Sequence, residues 1–150
     1  MGETDAVILE KTRHALAQGL IPILCIGEHE RDEDANYLRF IRAQIASIFS
    51  ELEIPERKIM ILAYEPLWAI GKTAAEAIQK DDLWEMVVYI RKVLGEYLPG
   101  AATEQVKILY GGSTEASNAP MLADSGIDGF LVGHASADVA QYTKLVKALF

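Results

Sequence analysis

Three short stretches of this 150-residue chain carry side chains suited to chemistry, and each follows an apolar run. In "AYEPLWAIGKTA", Ala63–Ala74, a lone carboxylate, Glu65, ends the run "IMILAY" and precedes Pro66, Trp68 and Gly71. An acid at the mouth of an oily strand is partly desolvated, which raises its pKa towards the range of a general base. A structural acid paired with Lys or Arg fits the same position. The segment after it joins a rigid proline start, a large side chain to bury and a glycine. A loop that closes as a unit has those parts, and so does an ordinary surface loop. "YGGST", Tyr110–Thr114, sets paired glycines after a strand, where the backbone can approach a ligand and Ser113 can donate to an oxyanion. "VGHAS", Val132–Ser136, opens a helical region whose N–H groups can hold a phosphate. Glycine pairs and Gly133 also serve plain turns.

The periodicity supplies elements to position these groups. Residues 4–19 read as a helix with Thr4 or Asp5 as cap, and "LIPILCI", Leu20–Ile26, as a strand buried on both faces. A long amphipathic helix follows from Glu30, with Leu38, Ile41, Ile45, Ile48 and Leu52 on one stripe, until Pro55 breaks it. "KIMILAY" (Lys58–Tyr64), "VKILY" (Val106–Tyr110) and "DGFLV" (Asp128–Val132) are the later strands. Helices are predicted after each, the first capped by Asp81 or Asp82. One helix and then four strand–helix units predict parallel pairing with right-handed crossovers in a single domain, 1–150. Four such strands with helices on one side leave an inner face bare. A doubly wound sheet or a closed (β/α)8 barrel resolves that, and this chain has half a barrel's strands. All three chemical stretches lie at the C-terminal ends of strands, where parallel α/β folds place their sites.

Composition narrows the partners. A net charge of -8 argues against nucleic acid and anionic membranes. No apolar run approaches the roughly 20 residues of a membrane span. The single cysteine, Cys25, suits a reducing interior, and the expectation is a soluble cytoplasmic protein. His14 reads as packed on an apolar helix face, and "EHERDEDAN" around His29 as a solvated loop and helix start without metal-ligand spacing. No nucleotide-binding glycine motif occurs.

Taken together, these stretches resemble the triosephosphate isomerase family. "AYEPLWAIG" resembles its signature around the catalytic glutamate and mobile lid, and "CIGE" (Cys25–Glu28), "LYGGS" (Leu109–Ser113) and "GFLVGHAS" (Gly129–Ser136) match further motifs in family order. The resemblance implies half of a (β/α)8 barrel, its C-terminal part. It implies that Glu65 is the base interconverting dihydroxyacetone phosphate and glyceraldehyde 3-phosphate through an enediol, without cofactor or metal. Gly71, Ser113, Gly133 and His134 match positions whose backbone N–H groups hold the substrate phosphate. Glu28 and Trp68 match a pair that sets the lid's open state, Tyr110 a latch for its closed state, and Leu131 and Val132 apolar walls around the base.

The departures set further expectations. The family's "NWK" and "GHSE" motifs, with their Lys and His, do not occur in these residues. Activity is therefore expected to need a complementary N-terminal half-barrel. A second copy of this chain is the alternative partner, and that pair would be catalytically silent. "AIGKTA" is two residues shorter than the family's "AIGTGKTA", and His134 stands where the family carries glycine. Both changes point to another small sugar phosphate as an alternative substrate.

Overall fold

The computed structural model describes residues 2–72 and 77–150. Its elements run α1 (Asp5–Ala17), β1 (Ile23–Ile26), α2 (Asn36–Phe49), α3 (Ile54–Ile59), β2 (Ile61–Tyr64), α4 (Lys80–Leu94), β3 (Lys107–Tyr110), α5 (Ala119–Ala123), β4 (Gly129–Phe130) and α6 (Val139–Leu149). Short 3₁₀ turns occupy Leu67–Ala69, Gly100–Gln105 and His134–Ala137. The four strands form one parallel sheet in the order β1-β2-β3-β4. Each strand lies beside the next in sequence, so every crossover steps the same way and places its helix on the same face. A doubly wound sheet reverses that order part-way. The chain is thus wound as half of a (β/α)8 barrel.

The core lies between this sheet and its helices. Leu24, Ile26, Leu62, Tyr64, Ile108 and Tyr110 point outward and are buried beneath side chains such as Ile41, Ile45, Leu83, Met86, Ile90 and Leu122. Each fully buried aliphatic side chain contributes roughly 1.5–3 kcal/mol. The opposite face is open. Ile23 is 46% exposed and Cys25 is exposed, so β1 alternates instead of being buried on both faces. Leu20 and Ile21, expected inside that strand, precede it and are exposed.

Local chemistry moves several other boundaries. Pro55 begins a helix instead of ending one: α2 already stops at Phe49, and Pro55 sits in the first turn of α3, where its missing N–H is not needed. The Glu56 carboxylate reaches back to the Glu53 N–H at 2.7 Å, the returning half of a capping box. Lys58 and Ile59 are therefore helical and β2 starts at Ile61. Asp81 and Asp82 lie in the first turn of α4 instead of capping it; Gln79 is the cap residue. Thr4 does cap α1, accepting from the Val7 N–H at 3.4 Å. His14 is exposed, because α1 turns Ile8, Leu9, Thr12 and Leu16 towards the protein and His14 away from it. No helix among the described residues is long and apolar enough to cross a membrane.

Candidate active site

The ladder hydrogen bonds continue one residue past the strands. Glu65 N–H donates to the Ile26 carbonyl (2.7 Å), Gly111 N–H to the Tyr64 carbonyl (2.8 Å) and Leu131 N–H to the Tyr110 carbonyl (2.9 Å). Extending the register by that one residue aligns Gly27, Glu65, Gly111 and Leu131 in a row across the sheet's C-terminal end. Tyr64, Tyr110 and Phe130 in the row before face the helices, so strand alternation turns this row to the open inner face. Glu65 is the only ionisable side chain in it.

Both glycines in the row are needed for that acid to lie where it does. A Cβ on Gly27 would collide with the Glu65 carbonyl. A Cβ on Gly111 would meet Glu65 Cγ at 2.5 Å and Oε1 at 2.9 Å. The carboxylate thus lies directly across the bare backbone of its neighbouring strand. On its other side, Cys25 Sγ donates to Glu65 Oε1 at 3.4 Å. Partial desolvation, then the Glu65 charge and this bond, push the Cys25 thiol up to about 11. Leu131 and Val132, the expected apolar walls, are half-buried at the end of β4, two strands from Glu65 with Gly111 between.

Behind the row, Glu28 is 1% exposed. Its Oε1 accepts from Tyr64 Oη (2.8 Å), Trp68 Nε1 (2.9 Å) and Arg31 Nε (3.4 Å). The expected pair of Glu28 and Trp68 is thus joined by a hydrogen bond. Burial and then the Glu28 charge drive the Tyr64 hydroxyl well above its ordinary pKa, so it stays a donor. Pro66 and the 3₁₀ turn behind it carry Trp68 into this pocket, and Leu67 N–H anchors the turn on the Glu28 carbonyl at 2.9 Å.

The loops after β2 and β3 meet. Lys72 N–H donates to Ser113 Oγ at 3.1 Å, and Gly71 beside it adopts φ +69°, a left-handed turn suited to glycine. Thr73 and Ala74, the end of the expected lid, lie outside the described residues. Tyr110 Oη is buried over Gly112 with no hydrogen-bond partner among the described residues, and burial pushes its pKa up to about 12. Gly133 and His134 open the 3₁₀ turn after β4, at the same end of the sheet; both are exposed. Ser136 N–H and Oγ close that turn on the Gly133 carbonyl at 3.0 and 2.7 Å. Among the described residues, no group of three or more His, Cys, Asp or Glu is placed to hold a metal ion.

Sequence reasoning missed Arg31. Inside a run of charges it reads as solvated, yet it is half-buried and packed over the rings of Trp68 and Tyr37. It missed Gly27 too, whose requirement appears only when β1 and β2 are laid side by side.

Comparison with known proteins agrees with this architecture. The sequence model described as triosephosphate isomerase matches residues 1–149. The triosephosphate isomerase of Orientia tsutsugamushi (strain Boryong) is 37% identical over 148 residues, which cover 98% of this chain and 57% of that protein. Those of Endomicrobium trichonymphae and Moorella thermoacetica are 39% and 38% identical, each covering 97% of this chain and 58% of their own length. The chain therefore spans a little over half the length of these relatives.

Proposed function

Because the chain belongs to the triosephosphate isomerase family, we propose that it carries the base and the phosphate cradle of an aldose–ketose isomerase acting on triose phosphates in the cytoplasm. The observation that carries this reading is Glu65, half-buried on the inner face as the one ionisable side chain of its row, with bare glycine backbone on either side. A planar substrate can lie over such a row with its carbon acid against the carboxylate. Glu65 removes a proton from the carbon beside the carbonyl, leaving an enediolate, and returns it to the adjacent carbon, while the hydroxyl proton passes from one oxygen to the other with the help of the carbonyl-polarising groups. Nothing is oxidised or reduced overall, so no cofactor is required.

Gly71, Ser113, Gly133 and His134 would present backbone N–H groups to the phosphate. The Lys72–Ser113 bond supports this role, since it brings the β2 loop against the β3 loop at the mouth of the site. Leu131 excludes water from the base. Glu28 and Trp68 fix the stem of the β2 loop, and Tyr110 is the buried donor available to hold its far end.

The groups that polarise the carbonyl come from outside these 150 residues. Transition-state electrostatics of that kind is commonly the largest catalytic term, so the chain by itself is inactive. Four further strands would complete the ring. Their seats are the open inner face, a cleft of about 350 Å³ between α1 and β1 lined by Ile8, Thr12, Ile23, Leu24 and Cys25, and the exposed stripe Val139, Tyr142 and Val146 of α6. Mixing the chain with the complementary half-barrel should restore triose phosphate isomerisation, and Glu65→Gln should abolish it. A mixture as inactive as the variant would overturn the proposal. So would a preference for the chain's own copy over that half, measured by size in solution. A panel of small sugar phosphates on the completed barrel reads out what the short loop and His134 select.

A further inference from the structure

We infer that Arg31 is a positioning residue that fixes the Pro66–Lys72 loop by joining its Trp68 to the first turn of α4. This rests on the proposed function only in taking that loop as part of the site. The guanidinium donates through Nη1 to Asp82 Oδ1 (3.2 Å) and through Nη2 to the Asp82 carbonyl (3.3 Å) and Tyr64 Oη (3.4 Å). Its Nε faces Glu28 Oε1 at 3.4 Å. Its Cζ lies 5.3 Å from the centroid of the Trp68 ring and 5.5 Å from that of Tyr37, within cation–π range of both.

Three physical facts give this arrangement a direction. Glu28 is a buried carboxylate, and a charge so placed needs a cation within reach; among the described residues Arg31 is the one paired with it. Trp68 is held at its ring nitrogen by Glu28 and over its ring by Arg31, so displacing the guanidinium loosens the indole on both counts. Asp82 lies where the connection leaving β2 re-enters a helix, so a single side chain grips the start of that connection and the element beyond its end. Each distance is long for a charge-assisted bond; the strength lies in a planar fork meeting four groups at once. A lysine ammonium is a point charge and can neutralise Glu28, but it cannot also stack flat and span to Asp82.

The test uses the full chain with Trp84→Phe as parent, leaving Trp68 as the only tryptophan. Acrylamide quenching and the emission maximum report on the indole. Arg31→Ala should raise the quenching constant at least twofold and shift emission to the red. Arg31→Lys should recover less than half of that change. Asp82→Asn, which does not touch the indole, should also raise quenching while circular dichroism stays that of the parent. Full recovery by Arg31→Lys would reduce the residue to charge neutralisation, and an unmoved Asp82→Asn variant would remove the link to α4; either overturns the inference. If Arg31→Ala fails to fold, the other two variants still decide it. An inactive completed barrel would count against the proposed function and leave this readout untouched.

Discussion

Gly111→Ala isolates the position of the base from the rest of the site. The added Cβ would stand 2.5 Å from Glu65 Cγ, 2.9 Å from Oε1 and 3.0 Å from Cδ. Carbon atoms pack at about 3.5–4.0 Å, so the acid has to retreat by about 1 Å. It can do so by rotating towards the open face, at a cost of about 0.5–1.5 kcal/mol for a strained rotamer. In a chain of this size that lowers the melting temperature by roughly 1–6 °C. Misplacing a catalytic group by about 1 Å costs about 10²-fold in rate, or about 2.7 kcal/mol of barrier. The expected signature is a large loss of kcat in the completed barrel with a small loss of stability. A second readout needs no activity. As Oε1 withdraws, the Cys25 thiol loses the charge and bond that help to raise it, so its pKa falls from about 11 while desolvation keeps it above the ordinary 9.0. Thiol alkylation across pH follows that value in the chain alone. Activity within threefold of the parent, with Cys25 titrating unchanged, would refute the contact.

Tyr64→Phe removes one of three donors from the buried Glu28 oxygen; a bond to a charged group is worth about 1.5–3 kcal/mol, so thermal melting should drop by roughly 3–12 °C. Glu65→Gln removes the carboxylate charge from beside Cys25 and should lower the thiol pKa without any substrate present, as alkylation kinetics would show. Burial would raise Asp128, but the Ile108 N–H, Lys107 and Arg91 outweigh it and hold its pKa below the ordinary 3.8. Its contribution is therefore complete above that value and lost as pH falls through the lower folded one, so Asp128→Asn should be less stable at neutral pH and show a flatter acid limb in denaturation. Gly27→Ala forces a Cβ against the Glu65 carbonyl, a backbone atom that cannot rotate away; loss of soluble folded chain is the expected outcome, read by circular dichroism.

The element order and the C-terminal placement of Glu65, Ser113 and Gly133 were legible because apolar runs and glycines mark strands and their exits. What each strand faces was not. "LIPILCI" has no polar alternation, so its run cannot show that Cys25 looks into an open face while Leu24 and Ile26 meet helices. The Lys58–Ile59 stretch reads as strand by side chain, and only the Glu53–Glu56 bond marks it as helix. Arg31 sits among five acidic residues from Glu28 to Asp34, and its burial depends on aromatic rings 6 and 37 positions further along the chain. The acid and its loops came from local pattern, whereas the network that holds them is a product of packing across strands.

The sheet covered by helices on one side alone has a thermodynamic corollary. Ordering the strands and docking whatever covers their bare surface draw on a single free energy, because a ligand that recognises only the ordered form stabilises it by mass action. A substitution such as Ile41→Ala, fully buried on the core face of α2, would then register in a titration as weaker association. Affinity and thermal resistance should rise and fall together across any series of core variants.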